Sequence, residues 1–182
     1  MEDYAHILDY LPQGLPAERG FKREPLAYAL GETEFKLFEL VPKIDVPMLV
    51  GERVYIGKEA EKRDKIAHVK RRVSYEELTS AAHSEMPFVI AEIAKQNEAR
   101  YVKFFNEAQA ITTRFHMLEL LPGLGKKTMW SIIEERKKGP FQSLDDLAKR
   151  VPMAHQLDKL LAKRIEAELA NPDEKYRLFV AR

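Results

Sequence analysis

The chain has 182 residues, 45% of them apolar and 32% charged, with a net charge of +1; this suits one large or two small domains with a packed core and excludes wholesale disorder. It contains no cysteine, which removes disulfides, thiolate zinc sites, iron–sulfur clusters and cysteine nucleophiles together. No apolar run approaches the roughly 20 residues that span a bilayer, and Met1-Glu2-Asp3-Tyr4 is acidic where a secretory signal is basic, so a soluble, cytoplasmic protein without membrane contact is expected.

The first seventy residues read as short strands between turn signals. Tyr4–Leu11 is rich in β-branched and aromatic side chains and stops at Pro12-Gln13-Gly14, after which a long loop is expected as far as Pro25. Segments 26–30 and 35–41 flank Gly31-Glu32-Thr33-Glu34 as a hairpin, 53–56 lies between Gly51 and Gly57, and 65–73 alternates two faces. Five short strands favour a closed sheet, because closure removes exposed edges, and the OB barrel is the common five-stranded solution. An OB-like β-barrel is therefore predicted over residues 1–73.

At Ser74 the period changes. Ser74-Tyr75-Glu76-Glu77 has the form of a capping box and predicts a helix start, and Ser84-Glu85-Met86-Pro87 predicts a second. Met86, Ile90, Ile93, Tyr101, Phe104, Phe105 and Ala108 recur at helical spacing and are read as a core face. Residues 74–110 are thus connecting helices. From 111 the pattern predicts a helical domain to residue 182: Ile111, Phe115 and Leu118 on one helix, Met129, Ile132 and Ile133 on the next, a short helix near Ser143, and a last one over 154–170 that stops before Asn171-Pro172. The fold class is α+β.

Charge is unevenly spread. Residues 1–73 carry thirteen basic and thirteen acidic side chains, 74–110 three against six, and 111–182 fourteen against ten. The near-neutral total therefore hides a basic C-terminal part that suits a polyanionic partner. None of the five histidines pairs at i, i+4 or sits in an HExxH pattern, so neither metal nor cofactor is predicted.

The chemistry is carried by Leu121-Pro122-Gly123-Leu124-Gly125-Lys126-Lys127, which resembles the hairpin of the helix-hairpin-helix motif, a module that grips nucleic-acid backbone without reading sequence. Gly123 and Gly125 permit positive φ and leave backbone amides uncovered. The next helix offers its unpaired N–H groups and positive dipole end to the same point, a phosphate cradle. Lys126 and Lys127 oppose that dipole at roughly 0.3–1 kcal/mol each, so stability alone does not explain them. Leu121 and Leu124 are expected to plug the turn, and the alternative is a tight αα-corner that binds nothing. Val151-Pro152-Met153-Ala154 reads as a second hairpin without glycine that completes the fold, and Trp130, the only tryptophan, is expected to pack inside the helical unit.

In the barrel the candidate contacts are Tyr55, Lys58, His68, Lys70, Arg71 and Arg72, with Lys62, Arg63 and Lys65 before them. Such barrels bind single strands with a basic groove and aromatic platforms. Arg71 and Arg72 are strand neighbours and point to opposite faces, so His68, Lys70 and Arg72 are chosen as one set, with Tyr55.

Leu8-Asp9-Tyr10-Leu11-Pro12, Gly51-Glu52-Arg53-Val54-Tyr55-Ile56-Gly57, residues 66–71, Tyr75-Glu76-Glu77-Leu78-Thr79, Phe104-Phe105-Asn106, and the run from Arg114-Phe115-His116 through Lys127 together resemble an uncharacterised archaeal family predicted to bind RNA. The resemblance spans nearly the whole chain and implies an OB-like barrel joined to a helix-hairpin-helix region. It also implies RNA rather than DNA as ligand, with a setting in translation or ribosomal-RNA processing. The expected function is non-enzymatic nucleic-acid binding. Its rivals are a protein-docking module acting through Phe141, Leu144 and Leu147, and a structure-specific nuclease, for which Glu134-Glu135 and Asp145-Asp146 are the nearest carboxylates but read better as solvated helical charges.

Overall fold

The structure, a computed structural model, describes residues 1–16 and 23–182. Most of the loop expected before Pro25 falls on residues 17–22, outside the described residues. The chain forms two compact units, Met1–Val89 with Ile165–Arg182, and Ile90–Arg164.

In the first unit, β1 (Tyr4–Leu11), β2 (Leu26–Gly31), β3 (Leu37–Pro42), β4 (Arg53–Tyr55) and β5 (Ile66–Arg72) form one antiparallel sheet in the order β4-β1-β2-β3-β5. The strands lie within a residue or two of their sequence positions, because alternating apolar residues and Gly/Pro punctuation specify them locally. β2 and β3 are buried at every position. One face packs Ala5, Ile7, Ala27, Ala29, Phe38, Leu40, Val54 and Ile66 into a core. The small Ala27 and Ala29 let the sheet curl inward, and register breaks in β1 and β5 add twist.

The expected closure is corrected by this topology. Among the described residues β4 and β5 are free edges with no ladder between them, so the sheet is a curled half-barrel. Closure depends on two strands meeting in space, and no local pattern encodes that.

Helical boundaries differ from expectation in two places here. The capping box at Ser74 and Glu77 closes only a single 3-10 turn, Tyr75–Glu77. The helix α1 (Ser80–Gln96) starts instead behind Thr79, whose hydroxyl accepts from Ala82 N–H at 3.1 Å, and it runs through Pro87 without a second start. Proline there removes one helical hydrogen bond and leaves the rest of the helix intact. At the other end of the chain, the buried Glu168 carboxylate accepts the N–H groups of Leu178, Phe179 and Val180 at 2.6–3.1 Å and fixes the C-terminal segment within this unit.

The second unit holds the end of α1, α2 (Glu98–Glu107), a two-stranded ribbon of β6 (Ala110–Thr112) and β7 (Phe115–His116), a 3-10 turn (Met117–Leu120), α3 (Lys126–Arg136), α4 (Leu144–Arg150) and the start of α5 (Leu157–Ala170). The helix expected over 111–118 is therefore a ribbon and a 3-10 turn. Ile111-Thr112-Thr113 is a β-branched run with poor helical preference, and Thr112 Oγ1 accepts from Arg114 N–H at 3.2 Å to make the turn.

Tyr101, Phe105, Leu118, Met129, Ile132, Phe141, Leu147 and Leu161 form the core of this unit. Arg150 ties α3 to α4 by pairing with Glu135 and Asp146, bonding the carbonyls of Glu135 and Gly139, and lying 4.5 Å over the Phe141 ring. Among the described residues no helix is long and apolar enough to cross a membrane.

Candidate functional site

The corner at 121–127 begins with an unusual cap. His116 Nδ1 accepts from Leu118 N–H at 3.1 Å, while the His116 N–H donates to Glu119 Oε2 at 2.7 Å, so the H-x-x-E spacing forms a capping box with histidine in the serine position. Burial and the Arg136 guanidinium both hold the imidazole pKa below its ordinary 6.5, favouring the neutral ring that can accept. Leu121 and Leu124 are buried and plug the turn, and Leu124 N–H closes it onto Leu121 C=O at 3.1 Å.

Gly123 turns at φ +90°, and a Cβ there would lie 3.2 Å from Leu160 Cδ2, so both conformation and space call for glycine. Gly125 is the N-cap of α3 and supplies no side chain to its first-turn amides. Gly123, Gly125, Lys126 and Lys127 are all exposed. Lys126 Nζ stands 3.9 Å from Glu119, a loose contact at 74% exposure, and the Lys127 ammonium has no ion partner among the described residues. Uncovered N–H groups and two cations thus share one surface, which is the chemistry of an anion receptor.

The second hairpin repeats the skeleton. Val151 and Ala154 are buried, and Ala154 N–H bonds Val151 C=O at 2.9 Å, but Met153 stands where the first hairpin has Gly123.

The barrel candidates are not brought together. Tyr55 is on β4 and His68, Lys70, Arg71 and Arg72 are on β5, the two opposite edges, with Lys58, Lys62, Arg63 and Lys65 in the connection between them. The Tyr55 ring meets Tyr4 edge-on at 5.3 Å, and its hydroxyl lies 3.4 Å from Glu59 N–H. Lys70 does not group with Arg72. The bulge between the pairs Glu39↔Arg71 and Leu40↔Val69 breaks strict alternation, so Lys70 Nζ (3.3 Å) and Arg71 Nε (2.6 Å) converge on the buried Glu39 carboxylate. His68 and Arg72 are exposed and have no polar partner among the described residues. Lys62 pairs with Glu59, Lys65 with Glu52, and Arg63 donates to Gly57 C=O, so those cations serve the fold, while Lys58 is exposed.

Three residues stand apart from the sequence reading. His116 and Glu119 set the approach to the corner, and the spacing H-x-x-E was the available signal. Trp130 is 58% exposed on α3, not packed inside the unit. Among the other carboxylates, Glu135 is held by Lys138 and Arg150 and Asp146 by Gln142 N–H and Arg150. No three His, Asp or Glu side chains gather as a metal site among the described residues.

A family model described as a protein of unknown function (DUF655) matches residues 1–181. The uncharacterized protein MJ0038 of Methanocaldococcus jannaschii is 49% identical over 180 residues, covering 98% of this chain and 80% of the relative. The crystal structure of Af1531 from Archaeoglobus fulgidus, described as family-model DUF655, is similar with a TM-score of 0.91 at 51% identity, over 99% of this chain and 100% of that one.

Proposed function

The chain belongs to the DUF655 family, and from the exposed corner at 121–127 we propose that it is a non-enzymatic nucleic-acid-binding protein that holds RNA phosphate between Gly123, Leu124, Gly125, Lys126 and Lys127. The observation that carries this reading is the uncapped start of α3, where two exposed ammonium groups sit against a dipole that favours acids. Were the corner covered by its own chain, or its amides taken by a side-chain cap, the reading would have no basis.

The corner works as a degenerate helix-hairpin-helix, with a 3-10 turn in place of the first helix. The half-barrel acts as an OB-like second contact surface, its opening lying between the fourth and fifth strands that closure would join. His68 and Arg72 are its free groups, with Lys70 and Tyr55 already engaged in the fold. The cellular setting that goes with an RNA ligand is translation or ribosomal-RNA processing.

Of the three residues on which the protein-docking rival rests, Phe141 and Leu147 are buried and Leu144 is half-buried, so that rival has little exposed apolar surface in its support. A nuclease would cleave labelled RNA in magnesium, and the proposed binder leaves it intact.

The test is the double charge reversal Lys126→Glu with Lys127→Glu, read by fluorescence anisotropy on labelled RNA and on DNA of the same sequence. If each lysine neutralises one phosphate, a fourfold rise in salt weakens their share of duplex binding about tenfold, and the variant loses that part of the salt slope. A folded variant with unchanged affinity on both ligands overturns the proposal.

A further inference from the structure

Trp130 is the only tryptophan in the chain and sits 58% exposed in the middle of α3, a helix whose inward residues Met129 and Ile132 are fully packed. Among the described residues its ring has no aromatic, cationic or hydrogen-bonding partner. A large indole left in water contributes little to folding, and side chains of this kind concentrate where a partner covers them.

Helical spacing says what surrounds it. Lys126 lies at i−4 and Lys127 at i−3, the two positions that neighbour Trp130 on the helix surface, and helical side chains lean toward the N-terminus and so toward those lysines. On the other side, Glu134 is held by Lys137 at 2.9 Å. The ring is thus bordered by two exposed cations on one side, and the acid at i+4 on the other is paired with Lys137.

We propose that Trp130 is a stacking platform for an unpaired nucleobase, with the Lys126 and Lys127 ammonium groups holding the phosphates on either side of that nucleotide. This rests on the nucleic-acid reading above and narrows its ligand to single-stranded or looped RNA. In a duplex each base face is already covered by its neighbour, whereas an unstacked base presents a π-surface that an exposed indole can match. A protein partner with an apolar patch is less suited, since two solvated ammonium groups at its edge would be desolvated without compensation.

Because the tryptophan is unique, its emission reports on this one place. The 182-residue chain is titrated with a short unstructured RNA, with the same sequence as a duplex, and with inorganic polyphosphate. Saturable quenching by the single strand is expected, with little by duplex or polyphosphate. Trp130→Ala should weaken single-strand binding about tenfold, in line with loss of one stacked base, and leave duplex binding unchanged, while Trp130→Phe keeps most of the affinity. Equal quenching by all three ligands, or an alanine variant that binds the single strand normally, overturns the stacking site. If that happens while the lysine reversal still abolishes binding, the phosphate-gripping reading survives alone. If no RNA binds at all, both fall together.

Discussion

On the proposed reading, the two lysines in the first turn of α3 set phosphate binding against a stability preference. Removing them should make the protein more stable as it makes it a weaker binder: the Lys126→Glu, Lys127→Glu variant is expected to gain about 1 kcal/mol in denaturant unfolding, as acids replace cations at the positive dipole end. The neighbouring His116 makes a different trade. Its Nδ1 must accept from Leu118 N–H, and burial and Arg136 hold its pKa below 6.5 in the folded state. A group whose folded pKa is depressed below its unfolded value contributes stability above the unfolded value, and that contribution is lost as pH falls. Unfolding midpoints measured from about pH 8 to about pH 5 should therefore drop below about 6.5, and His116→Asn, which keeps an acceptor at the cap and does not titrate, should flatten that part of the profile.

At the scale of elements, α3 starts behind a glycine that does no capping. Gly125 has φ −73° and open space where a Cβ would stand, so a side chain fits there. Gly125→Asp should cap α3 and stabilise it by about 0.5 kcal/mol while its carboxylate occupies the amides and repels phosphate, lowering RNA affinity. A rise in affinity would argue against the amides as receptor. The corner was legible in the sequence because glycine, leucine and lysine each have a local reason to be there. The strands were legible for the same kind of reason, and Tyr4–Leu11 is an example where turn residues mark the end. What escaped were features set by geometry beyond the neighbouring residues. Ile111, Phe115 and Leu118 fit a helical period that the β-branched run overrides, the bulge in β5 sends Lys70 to Glu39, and Trp130 sits one helical step from the buried Met129 and so leaves the inward face.

For the whole molecule, the chain returns to its first unit after leaving it. Residues from Ile165 onward belong with the sheet, where Glu166 accepts from the Tyr75 hydroxyl at 2.8 Å and Glu168 holds three tail amides. A chain cut after Arg164 should therefore lose protection in β3 and β5 by hydrogen exchange, and Glu168→Ala should cost roughly 3 kcal/mol, as buried N–H groups lose their acceptor. Unchanged sheet protection would mean that the tail is an appendage. The half-open sheet carries a further consequence for solubility. An uncovered ribbon margin is an invitation to intermolecular β-pairing, and the long polar side chains of Lys70, Arg71 and Arg72, together with the register breaks of β5, make that margin uneven. Neutralising these cations with valine to probe RNA contact would thus risk oligomers or precipitate, and a loss of signal would then report self-aggregation as much as a missing phosphate contact.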